Sequence, residues 1–234
     1  MDGTLQPNEG KLLTITTDFG LFARYPVKTK VVNSGDSLTA LLDEYVRPHI
    51  QQGDTLIMSE KIVAISQGRA FPVSEIKISR LAKFLVKFVT KSPYGIGIGS
   101  EATMELAVRE VGRVKIVFAA IVAALGKVVG KRGLFYVICG AKARAIDGPC
   151  DYTLPPYNNY AKLAPDKPNE VAAVLAAHIG LDVVVIDAND LGVNVLGKSR
   201  PDLDDKFAEQ VFADNPLAQG SQQTPIAIVR RSYD

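Results

Sequence analysis

Only two cysteines occur in the 234 residues, Cys139 and Cys150, and no CxxC pair or histidine cluster accompanies them. Neither a zinc centre nor a disulfide framework is thereby indicated, and two structural thiols fit a reducing, cytoplasmic setting. Histidine is equally scarce: His49 stands beside Pro48 and His178 among small apolar residues, neither within a Ser or Cys nucleophile pattern, so a catalytic triad has no support. No apolar run is suited to cross a bilayer, because the longest, Val114 to Val129, is interrupted by Lys115, Gly126 and Lys127. Residues 1–10 carry acidic groups and no apolar signal region, and read as a flexible N-terminus. A large excess of one charge is also missing. The formal net charge is +2 with both signs interspersed, which argues against nucleic acid or a membrane surface as partner.

What is present is a folding composition. Apolar residues at 47% and charged residues at 22% are far from a disordered profile. The length suits one large domain, read here as residues 11–234 with a weak division near residue 100. Strands are expected over Lys11 to Thr17, Tyr25 to Val32, Thr55 to Met58, Val114 to Ile121, Leu134 to Cys139, Asp182 to Ile186 and Pro225 to Arg230. Helical spacing runs from Leu38 to Val46, from Ser79 to Lys91 with Leu81, Phe84, Leu85 and Phe88 on one face, from Glu101 to Glu110, and from Asn169 to Ile179. Tyr152 to Tyr160 reads as an ordered, turn-rich loop. The fold class is α+β, with mixed sheets and flanking helices.

Two glycine-rich turns fail as nucleotide motifs. Tyr94 to Gly99 contains GxGxG but follows a helix rather than a strand, and Gly126 to Lys131 has three residues between its glycines where a P-loop has four, with Arg132 in place of Ser or Thr. Polar residues instead gather after buried strands. Ser59, Glu60, Lys61, Gln67 and Arg69 follow Thr55 to Met58, and their cations suit phosphate or carboxylate oxygens, with an ordinary surface ion-pair cluster as the alternative. Lys142, Arg144 and Asp147 follow the apolar run ending at Cys139, a place for a ligand at a strand end, with plain turn chemistry as the alternative. Asp187, Asn189, Asp190 and Gly192 follow the strand from Asp182; their oxygens suit Mg²⁺ or Mn²⁺ held with substrate phosphates, or a metal-free Asx turn.

The segment Gly53 to Arg69 (GDTLIMSEKIVAISQGR) resembles the coenzyme F-420 γ-glutamyl ligase family, the ligases called CofE. The similarity continues through Arg144 to Tyr157 (RAIDGPCDYTLPPY), Ala164 to Pro168, Val183 to Gly192 (VVVIDANDLG) and the closing Pro225 to Arg230. The resemblance implies a CofE-like fold, an intertwined homodimer, and a GTP-dependent (or ATP-dependent) reaction. In it a carboxylate acceptor is phosphorylated and then attacked by the amine of L-glutamate, with Mg²⁺ or Mn²⁺ as cofactor. It places Lys142, Arg144 and Asp187 as catalytic residues. It places Ser59, Glu60, Lys61, Gln67, Arg69, Asn189 and Gly192 at nucleotide or substrate, and Asp147, Asp187 and Asp190 at metal. Where the family carries an acidic segment, this chain has Ala141 to Ala145 (AKARA), so cations stand in the place of carboxylates. The alternative reading is a non-catalytic anion- or nucleotide-binding regulatory protein on the same scaffold.

Overall fold

A computed structural model describes residues 5–89, 97–131, 133–189, 192–218 and 220–233. In chain order the elements are β1 (Thr14–Thr17), β2 (Gly20–Val27), α1 (Leu38–Leu41), β3 (Thr55–Ser59), α2 (Glu60–Ser66), β4 (Ala70–Pro72), α3 (Arg80–Leu85), α4 (Glu101–Val111), α5 (Arg113–Val128), α6 (Leu134–Cys139), α7 (Ala141–Arg144), β5 (Tyr160–Lys162), α8 (Pro168–Ile179), β6 (Asp182–Asn189), β7 (Gly192–Lys198), α9 (Asp205–Val211) and β8 (Ile226–Arg231). They form two compact units, divided after Gly68 and after Ala164 rather than near residue 100. The first unit is built from both ends of the chain, and the second, Arg69–Ala164, is inserted between them.

The first unit holds a six-stranded sheet in the order β1-β2-β8-β3-β6-β7. Only β3 and β6 pair parallel, with Thr55 opposite Asp182 and Ser59 opposite Ile186. The central strands β3, β6 and β8 are continuous apolar runs because both faces are covered. One face packs Ile57, Val184, Ile186, Ala227 and Val229 against Val211 and Phe212 from the end of α9. A buried Arg24 on β2 donates to the carbonyls of Val211 and Leu12 and pairs with Asp214. Asn8, inside the segment expected to be flexible, donates to Pro216 O and Thr224 Oγ1, each at 2.8 Å.

The second unit is largely helical, and its two ends pair as the two-stranded antiparallel sheet of β4 and β5. Its core gathers Met104, Leu106, Ile116, Ala119, Ile146 and Leu163. Ser100 caps α4 and exchanges hydrogen bonds with Thr103, a reciprocal capping pair that fixes the helix start. Among the described residues no helix is long and apolar enough to cross a membrane.

Several expected elements differ. Val114 to Ile121 and Leu134 to Cys139 are not strands but parts of α5 and α6. Short runs of Val, Ile and Phe satisfy a buried strand and a buried helix equally, and four alanines (Ala119, Ala120, Ala123, Ala124) favour the helix in α5. The second strand occupies Gly20–Val27 rather than Tyr25 to Val32, since Thr16 and Thr17 pair back to Leu21 and Gly20 across a tight turn. Asp187 and Asn189 lie in β6, which continues past Ile186 to pair with β7. Phe84 and Phe88, expected beside Leu81 and Leu85 in the core, are more than half exposed, while Leu85 is buried. The helix from Ser79 ends as α3 plus one 3₁₀ turn at Phe88. Tyr94, Gly95 and Ile96 of the glycine-rich turn, and Lys91, lie outside the described residues.

Candidate functional site

In the first unit the parallel pairing of β3 with β6 sets both carboxyl ends at one edge of the sheet, the place where open α/β sheets hold ligands. The chain leaves β3 at Ser59, whose hydroxyl accepts from Lys61 N at 3.3 Å and starts α2. Glu60 is buried in the first turn, and Lys61 is half-buried with no ion pair to a described residue. On β6, Asp187 and Asn189 follow Ile186 at the same edge and share one side of the strand, two residues apart. Gly192 opens β7 directly opposite Asn189. Six of the residues singled out in sequence thus come to one sheet edge. Gln67 does not join them. It lies at the far end of α2, where its side-chain amide makes two hydrogen bonds with the backbone of Asp166, each 2.8 Å.

In the second unit Arg69 and Lys142 meet on one carboxylate. Arg69 Nη2 donates to Glu110 Oε1 at 2.9 Å, and Lys142 Nζ lies 3.2 Å from the same oxygen. Arg69 also donates through Nε to the carbonyl of Ala164, just beyond β5, which fixes the guanidinium. Arg144 is exposed and makes no ion pair with a described residue. It faces Tyr136, whose hydroxyl is pushed up by burial, with Arg144 partly opposing the rise. Asp147 exchanges two backbone hydrogen bonds with Lys162, and its Oδ1 accepts from Gly148 N at 2.9 Å.

Glu110 was not anticipated. It stands 41 positions from Arg69, and nothing local in the α4 sequence marks it as a partner for two distant cations. The charge of the second unit is equally hidden in the whole-chain balance: it carries fifteen Lys and Arg against six Asp and Glu. The first unit carries twelve against nineteen.

The expected metal set is not assembled among the described residues. Asp147 belongs to the second unit, Asp187 to the first, and Asp190 lies outside the described residues. No group of three His, Cys, Asp or Glu side chains comes together among the described residues. Asp187 and Asn189 remain as two hard oxygen donors on one side of β6, a set that fits Mg²⁺, which takes one or two carboxylates and completes its shell with water and phosphate.

With that geometry in place, the similarity to known proteins is specific. The family model described as F420-0:Gamma-glutamyl ligase matches residues 26–195, from the end of β2 into β7 and across the entire second unit. No curated protein matches the chain.

Proposed function

The chain belongs to the F420-0:γ-glutamyl ligase family, and from that premise we propose that it is a nucleotide-dependent ligase joining L-glutamate to a small carboxylic acid. The γ-phosphoryl group of GTP, or of ATP, passes to an acceptor carboxylate oxygen, and the nucleoside diphosphate leaves with the broken P–O bond's electrons. The glutamate α-amine then attacks the acyl carbon, inorganic phosphate departs, and the amine proton is lost as the amide forms.

The observation that carries this reading is the Arg69–Lys142 pair on Glu110 within a strongly cationic unit that the family match spans throughout. Arg69 presents a planar fork and Lys142 a point charge, a combination suited to phosphate oxygens. Arg144, exposed and two residues beyond Lys142, adds a third cation. At the sheet edge of the first unit, Ser59, Glu60, Lys61, Asn189 and Gly192 offer hydroxyl, carboxylate, ammonium, amide and open backbone to a polar substrate. Asp187 and Asn189, with Asp190, would hold Mg²⁺ or Mn²⁺. Such an ion supplies positive charge against the phosphoryl oxygens.

A second reading, anion binding without catalysis, is favoured by one observation: the Arg69–Lys142 cluster sits on its own carboxylate and calls for no metal. Thermal unfolding with GTP or ATP, each with Mg²⁺, Mn²⁺ or chelator, separates the two. A ligand at a hundred times its Kd stabilises by about 2.7 kcal/mol. Metal-dependent stabilisation supports the ligase and justifies assaying acceptors with glutamate. Chelator-indifferent stabilisation supports the binding protein, and no stabilisation by either nucleotide sinks the nucleotide-dependent reading.

A further inference from the structure

The outward side of α5 carries Val114, Phe118, Ile121, Leu125 and Val128, each between 54% and 85% exposed. The opposite side is the one its unit buries, through Ile116, Ala119 and Gly126. Lys127 Nζ donates to the carbonyl of Phe88 at 3.1 Å, which joins the end of the stripe to Phe84 and Phe88, an edge-to-face pair with both rings more than half exposed. The charge around these apolar groups is of one sign. Neither the run from Ile76 to Ser100, which carries both phenylalanines, nor the run from Val111 to Ile146, which carries α5, contains an Asp or a Glu. Together the two runs hold twelve of the fifteen Lys and Arg of the unit. Arg113 and Lys115 stand either side of Val114, each turned about 100° from it around the helix, so cations border both flanks of the stripe. Lys83 and Lys87, both exposed, each precede one of the two rings.

We propose that this face docks on the surface of a lipid bilayer with anionic headgroups, α5 lying in the interfacial plane and its stripe at the boundary of headgroups and acyl chains. The 16 residues of α5, at 1.5 Å each, make it about 24 Å long, short of a hydrocarbon core of about 30 Å. Its inner side is already committed to its own unit, so the helix lies on a bilayer rather than crossing it. An apolar side edged by cations is the pattern of such interfacial helices: the apolar side sinks about 5–10 Å, while Lys and Arg reach back to the phosphates. Charge favours a lipid surface over the other occupants. A second copy would set Arg113 and Lys115 against a face equally without carboxylates. A protein groove would need carboxylates placed beside both flanks of α5 and beside Lys83 on α3, whereas a plane of anionic headgroups meets all of these cations at once. The docking stands on α3 and α5 and holds whether or not the ligase reading does.

The chain has no tryptophan, so Ile121→Trp places a single reporter in the stripe. Its emission should move to the blue when phosphatidylglycerol-containing vesicles are added, and lipids brominated on the acyl chain should quench it. Leu12→Trp, at an exposed leucine of the first unit, should show neither effect. In vesicle co-sedimentation the wild-type chain should bind phosphatidylglycerol vesicles and not phosphatidylcholine ones. Salt at about 1 M, where the Debye length is about 3 Å, should release most of it. Lys115→Gln should weaken binding about fivefold, the about 1 kcal/mol of one cation at an anionic surface. Phe118→Asp should weaken it by at least about tenfold, both variants keeping the wild-type far-UV circular dichroism spectrum. No binding to phosphatidylglycerol vesicles, equal binding to neutral ones, or binding by Phe118→Asp equal to wild type overturns the proposal. So does an Ile121→Trp emission that is already blue without vesicles at concentrations where the chain self-associates, since a second copy then covers the stripe. An emission that shifts with an acidic amphipathic peptide but not with vesicles overturns it equally.

Discussion

Replacing Glu110 by glutamine removes the carboxylate charge that Arg69 and Lys142 share and keeps an oxygen to which Arg69 can donate. The Arg69 and Glu110 side chains are 19% and 11% exposed, so their attraction is only partly screened. At an effective dielectric near 20, two charges about 4 Å apart attract by about 4 kcal/mol, and desolvation of both groups offsets much of it. A charge-assisted hydrogen bond nets about 1.5–3 kcal/mol. Lys142 is 56% exposed and adds on the order of 0.5 kcal/mol. Glu110→Gln should therefore lose about 2 kcal/mol, which for a chain of this size lowers Tm by about 4–8 °C. Five of the eight tyrosines lie in the second unit, so tyrosine fluorescence during thermal unfolding reports on it directly. Lys142→Ala should shift Tm by no more than about 2 °C, because its ammonium is mostly in water. The order matters more than either value. If Glu110→Gln melts within about 1 °C of wild type, or no lower than Lys142→Ala, the ion pair is a solvated surface contact and the reasoning fails. With the carboxylate charge gone, the same variant should bind inorganic phosphate more tightly, a gain that a purely structural cluster would not give.

Three further perturbations have definite outcomes. The Arg200 guanidinium, with two hydrogen bonds of 2.9 Å, holds the Asp182 carboxyl below the usual carboxylate range despite its partial burial. That stabilisation is present above the unfolded pKa of about 3.9 and is lost as pH falls through the lower folded value, so Asp182→Asn should flatten the decline of Tm below about pH 4. A Cβ on Gly197 would lie 2.4 Å from the backbone carbon of Pro168, which opens α8. Gly197→Ala should cost about 1–3 kcal/mol in urea unfolding, and an unchanged midpoint would show that β7 and α8 can part freely. Asp214→Ala leaves the buried Arg24 guanidinium with its carbonyl contacts alone. Discounted for the 40% exposure of Asp214, the loss should be about 2–3 kcal/mol, and Arg24→Met should lose less than Asp214→Ala.

The legible parts of the fold were those where one physical signal dominates. β3, β6 and β8 are apolar on both faces and bounded by turns, and α8 begins at Pro168 and stops at Gly180, so pattern and punctuation agree. In α5 the signals conflict. Its outward stripe and its buried side are both apolar, which erases the periodicity that separates a helix from a strand. The same ambiguity placed Lys142 and Arg144 after a strand, when they belong to a short helix behind α6. At the site, the sheet-edge residues were readable because strand ends follow from strand assignments. The Arg69–Glu110–Lys142 cluster was not, because it joins Arg69, the residue before β4, to two helices and exists only through tertiary packing.

A net charge of +2 conceals an excess of nine positive charges in the second unit and of seven negative charges in the first. Charges separated by more than about 8 Å are largely screened at physiological salt, so an approaching anion responds to the unit it meets and not to the chain's sum. The whole-chain argument against an anionic partner was therefore drawn at the wrong length scale.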